Sequence, residues 1–296
     1  MKELSVVIAS QNAKGTIVQC LTSLQQQNSD SAAELIVVDN SHDGTTQMIE
    51  KMACPVQLTK IAEPLLIPEL WGRGAARASG RIIAFTTAHC IPDPNWLAEI
   101  RRGHHSAHAG VGGAIENAEH ASLDQWAIYF CRYTPYMLPF TTGAVAQIPG
   151  DNGSYKRWVV EKYADLIQAG FWESIINDQL RRDGHTLLLT STMRVCHRRS
   201  FGVWTFCRQR FTHGRLFGAE RVAATSLIRR LLYIAFSPLI PLVVLAKIGR
   251  QVQAKRRHRR VFLLSLPFVI LFVLSWALGE CLGYVLGNTA KGGLRS

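Results

Sequence analysis

The chain has 296 residues, with 33 Lys+Arg against 21 Asp+Glu and a formal net charge of +12; 48% of it is hydrophobic and 18% charged. That composition excludes a disordered or fibrous chain and allows one large domain or two modules around a sizeable core. The charge is uneven: from Arg208 onward there are 15 basic residues and two acids, Glu220 and Glu280, whereas residues 1–207 hold 18 basic and 19 acidic. Basic residues flanking long apolar runs read as a membrane end that meets anionic lipid, not as a nucleic-acid face, so no nucleic-acid partner is expected. The seven cysteines are scattered, odd in number and without a CxxC pair, which argues against a zinc ribbon or a disulfide framework and fits a reducing compartment.

In chain order, Leu4–Ala9 is a short β-rich run that reads as a buried strand, not a leader peptide. Gly15 to Gln26 carries Ile17, Leu21 and Leu24 on one helical face, Glu34–Asp39 is a second strand ending in an acid, and Thr45–Ala53 a helix after turn residues. Pro55–Lys60, a helix at Gly72–Ser79, the strand Arg81–Thr86 and a helix over Pro92–Arg102 complete a βαβαβαβ order. This order predicts a doubly wound, mostly parallel sheet whose ligands sit beyond the carboxyl ends of the strands. Further on, Gly110–Glu116 and Thr186–Val195 read as strands, and Asp124–Tyr133 and Ser174–Asp183 as helices. Residues 1–207 are thus expected to form the globular domain, 208–230 an amphipathic linker, and 231–296 a membrane region. Leu231–Ala246, short and holding Pro238 and Pro241, reads as a re-entrant or in-plane helix or a short span. Val261–Gly287 is long enough to cross, with Gly279, Gly283 and Gly287 spaced as a helix-packing face.

Four segments resemble family 2 glycosyltransferases, in the family's order and spacing over residues 4–97. Ser5-Val6-Val7-Ile8-Ala9-Ser10-Gln11-Asn12 is similar to the family's opening strand, and Ile36-Val37-Val38-Asp39-Asn40-Ser41-His42-Asp43-Gly44-Thr45 to its second strand and acidic end. Gly74 to Phe85, which includes Arg77, resembles the helix and strand leading to the family's metal motif, and Ile91-Pro92-Asp93-Pro94-Asn95-Trp96-Leu97 resembles the segment beyond that motif. The resemblance implies a GT-A fold and an inverting transfer of sugar from a nucleotide sugar, with a UDP-sugar expected. It places Ala9, Ser10, Asn12, Asp39, Arg77, Thr87, His89, Gly113, Asp151 and Asn152 around the donor. Read from the residues alone, Asp39 either accepts from a uracil or ribose group or caps its own turn. Gly113, in Gly112-Gly113, either lets substrate approach the backbone or forms a bulge. Asp151-Asn152, after Pro149-Gly150, is either an acceptor-side loop or a turn.

The sequence departs from the family where Asp-x-Asp is expected, since that place reads Thr87-Ala88-His89. Mn²⁺ or Mg²⁺ is the implied cofactor, but hard cations favour carboxylate oxygens. His89, with His197 as a second candidate, either ligates a metal or meets the pyrophosphate as an imidazolium. His104 and His108 share a helix face and read as solvated. The family's catalytic acid lies 11 residues before a helix-ending Gly, and counting back from Gly184 reaches Glu173, the expected base, unless it only serves a helix N-terminus. The reading is therefore a membrane-anchored enzyme of polysaccharide biosynthesis acting on a lipid-linked or growing-glycan acceptor. Its catalytic domain faces the cytoplasm and its last nine residues lie across the membrane. An inactive protein that binds a nucleotide sugar or scaffolds a glycan-assembly complex is the alternative.

Overall fold

The computed structural model describes residues 2–28, 32–198, 202–223 and 225–287, so the last nine residues, and the expectation placed on them, lie outside the description. It divides into two compact units, residues 1–118 with 136–199, and residues 119–135 with 200–296.

In the first unit, β1 (Leu4–Ser10), α1 (Ile17–Gln27), β2 (Ala33–Asp39), α2 (Thr45–Lys51), β3 (Val56–Lys60), α3 (Ile67–Ala75) and β4 (Ile82–Thr87) alternate. Then come β5 (Cys90–Pro92), α4 (Trp96–His104) and β6 (Gly110–Asn117). The chain leaves this unit through α5 (Leu123–Tyr133) and returns with β7 (Gly143–Val145), β8 (Asn152–Lys156), α6 (Arg157–Lys162), α7 (Ala164–Gln168), α8 (Glu173–Arg182) and β9 (Leu187–His197). The sheet runs β3-β2-β1-β4-β8-β6-β9-β5, with β7 on β9. Its amino-terminal half is parallel, as the unbroken apolar runs of β1 and β2 dictate: Val6, Val7, Ile8, Val37 and Val38 are fully buried on both faces. The other half is mixed, because β8 enters antiparallel between β4 and β6, and β5 and β7 pair antiparallel with β9. The sheet is thus less parallel than the first half of the sequence implies.

Two local differences have clear causes. α3 begins five residues before its expected start, because Pro68 sits in its first turn and the Glu69 carboxylate accepts the Leu66 N–H at 2.6 Å. β8 escapes a hydrophobicity reading because it is polar yet buried. Asn152 and Ser154 are fully enclosed, and the Tyr155 hydroxyl donates to Asn177 at 2.7 Å. His104 belongs to this interior, not to a solvated face. Ser154 gives its hydroxyl proton to the Val111 carbonyl at 3.0 Å, so it receives the His104 Nε2–H at 2.9 Å.

The second unit gathers α5 with α9 (Val203–Val222), α10 (Leu227–Phe236), α11 (Ile240–Lys255) and α12 (Arg259–Leu286). Residues 208–230 are therefore not a linker: α9 packs lengthwise on α12. Glycines on both helices let the backbones meet. A Cβ on Gly214 or Gly218 would come within 2.3 Å of the Trp276 or Glu280 carbonyl, and one on Gly283 within 2.3 Å of the Arg215 carbonyl. Gly279 and Gly283 thus form a packing face, whereas Gly287, the third glycine of that spacing, ends α12 at φ 65° and a Cβ there would meet only the Arg230 side chain. The helical path also runs through the prolines. Pro238 lies in a 3-10 turn at Ser237–Leu239 and Pro241 in the first turn of α11, where a missing N–H costs nothing. Leu227–Lys255 and Arg259–Leu286 are both long and apolar enough to cross a membrane. They run antiparallel: the Arg230 guanidinium donates to the Tyr284 and Val285 carbonyls at 2.6 Å, while Arg256–His258 turns α11 into α12.

The buried His104 sets a pH dependence. Burial first, and the nearby Lys156 charge second, push its imidazole down to about 4. The unfolded chain then binds more protons between pH ~6.5 and ~4, so stability falls as pH falls through that window, by up to about 3 kcal/mol. Urea unfolding at pH 7, 5 and 4 should show His104→Gln losing less stability on acidification than the parent; parallel losses would remove His104 as the cause.

Candidate functional site

The parallel register brings three strand ends into one row. Ser10 is opposite Asp39, and Ala9 is opposite Thr87. The sheet order reverses between β1 and β4, which opens the crevice where such sheets bind ligands. Asp39 is 2% exposed, and its carboxylate accepts the Ser41 hydroxyl at 2.6 Å and the Thr46 hydroxyl at 2.5 Å. The loop after β1 is stitched to the loop after β2. Asn12, at φ 50°, accepts the His42 N–H with its side chain at 3.0 Å, and its own N–H donates to Ser41 at 2.8 Å. Ser10 Oγ is buried in this row with no hydrogen-bond partner among the described residues.

His89 spans the crevice. Its Nε2 lies 3.0 Å from the Gln11 carbonyl, which can only accept, so Nε2 carries the proton and Nδ1 faces the Thr16 hydroxyl at 3.3 Å. The pairing of Cys90 with His197 and the Arg198 N–H donated to the His89 carbonyl at 2.8 Å bring His197 and Arg198 to the same turn. No motif in the sequence marks Arg198. Its guanidinium reaches Gln19 on α1 at 3.1 Å and adds a cation beside the turn that lacks the family's acids.

These groups do not fit a divalent metal. Both His89 nitrogens are directed at protein partners, and the Thr87 hydroxyl donates to Cys90 Sγ at 3.5 Å. No three His, Cys, Asp or Glu side chains converge among the described residues. The donor set is one engaged imidazole and a hydroxyl, far from the oxygen cage that Mg²⁺ or Mn²⁺ favours.

A second cluster adjoins the row through the end of β4. Thr86 is opposite Asn152 in the β4–β8 pair, and its hydroxyl donates to the Asp151 carbonyl at 3.0 Å while its carbonyl accepts Trp71 Nε1 at 2.7 Å. Glu173 opens α8 and is half-buried. A Cβ on Gly150 would come within 2.7 Å of the Trp71 ring and 3.0 Å of the Glu173 carboxyl carbon, so only a glycine lets these groups meet. Tyr136 faces the same carboxylates: burial first, then Glu173 and Asp151, raise its hydroxyl above the ordinary tyrosine range. Tyr136, Trp71 and Gly150 were not legible as site residues in the sequence.

The other candidates sit elsewhere or are engaged. Asn152 spends its amide on the Trp96 indole and on the Ala114 and Met193 carbonyls. Gly113 lies at the register shift between β6 and β9, where a Cβ would come within 1.9 Å of the Met193 carbonyl. Arg77 follows α3, three residues before Gly80, whose N–H donates to Ser5 near the start of β1, so it lies at the opposite end of the strands from Asp39.

Residues 5–164, more than half of the sequence, match the model of glycosyl transferase family 2, and the chain belongs to that family. A curated relative, the uncharacterized glycosyltransferase YfnE of Bacillus subtilis (strain 168), is 34% identical over 105 residues, which span 34% of this chain and 26% of that protein. The mannosyltransferase PcManGT from Pyrobaculum calidifontis, solved with GDP-Man and Mn²⁺, superposes with a TM-score of 0.59 at 15% identity, over 94% of this chain and 86% of that one. S. aureus TarS 1–349, solved with UDP-GlcNAc, superposes with a TM-score of 0.53 at 14% identity, over 94% and 90%. The fold is therefore GT-A-like, a mixed nine-stranded sheet flanked by helices, and the protein is a glycosyltransferase by family.

Gly150→Ala tests the second cluster. Overpacking against Trp71 should cost about 1–3 kcal/mol of stability and displace the Glu173 carboxyl. Sugar transfer should fall sharply while nucleotide affinity, read by calorimetry, stays within a few-fold; an active Gly150→Ala enzyme would show that the close approach is not needed.

Proposed function

We propose that the protein transfers a sugar with inversion from a UDP-sugar to a hydroxyl of a lipid-linked or growing-glycan acceptor at a membrane surface. The observation that carries this reading is the junction at Thr86, which holds the Asp39–Ser10–Thr87 row against the Glu173–Gly150–Tyr136 cluster. In this reading Asp39 and Ser10 take the nucleoside. Arg198 and the His89 turn face the diphosphate. Glu173 removes the proton from the acceptor hydroxyl as its oxygen attacks C1, and the nucleoside diphosphate leaves with the bonding pair. A metal, where one is used, would neutralise the diphosphate; the residues at Thr87–His89 supply no ligand set for it.

The test is a pair of variants. Asp39→Ala should weaken UDP binding by on the order of 1–3 kcal/mol, the loss expected when a buried polar contact is removed. Glu173→Gln should leave UDP affinity unchanged and lower turnover by roughly 10²–10⁴-fold. Turnover of Glu173→Gln within a few-fold of the parent would move the base to Asp151. UDP-sugar binding with no transfer to any acceptor would favour the inactive, scaffolding reading, which the carboxylate-free turn supports.

The membrane contact in this proposal is one-sided. α9 lies along α12 through their glycines, yet it exposes Arg208, Glu220 and Arg221. If α12 crossed the bilayer, α9 would enter with it, at about 2.5–3.5 kcal/mol for each charge near the centre. The exposed apolar faces of α10–α11 (Leu231, Leu232, Leu242) and α12 (Leu263, Leu274, Leu278) instead suit helices lying in one leaflet. The basic stretch Arg250–Arg260 and the catalytic unit then both face the cytoplasm. In intact cells, neither Gln253→Cys nor Leu286→Cys should react with an impermeant thiol reagent, and both should react after permeabilisation. Labelling of either from outside would establish a crossing.

A further inference from the structure

The second unit forms an open cavity of about 720 Å³ between α5, α9, the α10–α11 segment and α12, and no step proposed above uses it. One wall is apolar, with Phe236, Leu239 and Val243, all of which are also exposed on the surface. The other carries Arg210, Arg221 and Lys247, with the carboxylate of Glu280. That carboxylate is already committed: the Trp276 indole donates to it at 2.7 Å, the Tyr284 hydroxyl donates to it, and Arg221 lies 3.5 Å away. Arg210 has no such partner. Its guanidinium lies 4.2 Å over the Trp276 ring, and its Nε is buried with no acceptor among the described residues. Arg210 and Lys247 form no ion pair among the described residues. Burial first, and the like charge of Arg132 as a lesser cause, hold the Arg210 guanidinium below its ordinary value. A largely buried cation that lines a cavity without an ion pair is costly unless an anion enters.

We propose that this cavity binds a membrane lipid by its phosphate. Arg210 and Lys247 take the phosphate oxygens, with the planar guanidinium of Arg210 suited to two parallel bonds. The hydrocarbon chain lies along Phe236, Leu239 and Val243 and leaves through the exposed apolar face of α10–α11. Inorganic phosphate offers the same oxygens but no chain, and a diacylglycerol offers the chain without the charge. The cavity joins both features in one place, which selects the lipid source. The proposal rests on the membrane placement of the helical unit, not on the chemistry at Glu173.

The experiment titrates the purified full-length chain in detergent with dioctanoyl phosphatidic acid, dioctanoylglycerol and inorganic phosphate, using native mass spectrometry for stoichiometry and tryptophan fluorescence for affinity. Phosphatidic acid should saturate at one molecule per chain, and the other two should bind at least about tenfold more weakly, the scale of one lost charge-assisted contact. Arg210→Gln, and Val243→Trp, which fills the apolar wall, should each weaken phosphatidic acid by about tenfold or more, while Arg250→Gln, outside the lining, should not. Helical content and thermal unfolding followed by circular dichroism report whether each variant is folded; a variant that loses its native melting transition counts as unfolded. Should Arg210→Gln lose that transition, Arg210→Lys decides, since it must retain lipid binding. Equal binding of dioctanoylglycerol or of inorganic phosphate, or phosphatidic acid binding indifferent to both cavity variants, overturns the site. Flotation with vesicles separates the two readings: a chain that floats without selective phosphatidic acid binding defeats only the site, and one that does not float defeats the membrane placement.

Discussion

The carboxyl end of β4 is the constraint on which the site depends. Two residues there, Thr86 and Thr87, are held on one side by the parallel ladder to β1 and on the other by the antiparallel ladder to β8. Parallel pairing fixes Thr87 beside Ala9, and therefore beside the Ser10–Asp39 row. Antiparallel pairing fixes Thr86 against Asn152, and therefore sets Gly150 and Asp151 at the same level. A one-residue slip on either side would turn every side chain of that strand to the other face. Asn152 acts as the lock: its amide ties β8 to β6 and β9 through the Ala114 and Met193 carbonyls and to α4 through the Trp96 indole. Breaking such a buried network leaves several orphaned groups at once, so it resists change as a unit.

The turn after β4 shows what happens when a family's charged motif is replaced. Carboxylates at this place would repel the diphosphate unless a cation stood between them. Thr87-Ala88-His89 removes that repulsion and brings an imidazole whose hydrogen is spent on the Gln11 carbonyl. The turn thereby becomes a structural bridge between the loops after β1 and β4, with Arg198 as the nearby positive charge. The turn after β4 thus carries no carboxylate and has Arg198 beside it, whereas Glu173 and Asp151 both act on Tyr136 in the second cluster.

The sequence carried the parallel half well. Alternation of apolar runs with helical patterns placed β1, β2, β4 and their strand-end residues within a residue or two, because local burial on both faces leaves an unmistakable apolar string. In the second half it also placed the strands at Gly110–Asn117 and Leu187–His197 and the helices at Leu123–Tyr133 and Glu173–Arg182 within two residues, but it missed β5, β7 and β8. β8 is polar because its side chains serve an internal hydrogen-bond network, and β5 and β7 are three residues each, too short to show a period. Glu173 was reachable through spacing to Gly184, whereas Tyr136 and Trp71 come to it through contacts between distant segments. Arg198 and His89 likewise meet only through the β5–β9 pairing. The helical path of residues 227–255 was hidden by two prolines whose positions in first turns are harmless.

Because residues 119–135 belong with the carboxyl-terminal helices, the chain passes between the two units three times. α5 brings Trp126, Ile128, Tyr129 and Phe130, all nearly or fully buried, into the helical unit from the middle of the sequence. A protease cut between β9 and α9 would therefore not release a free catalytic fragment, since α5 would still be held among the helices. Truncation at the same point would strip the cover from α5 and present its aromatic face to solvent, a surface prone to association. The two halves are in that sense a single hereditary unit: recombination could exchange the carboxyl-terminal helices between relatives only together with a short internal segment of the enzyme domain.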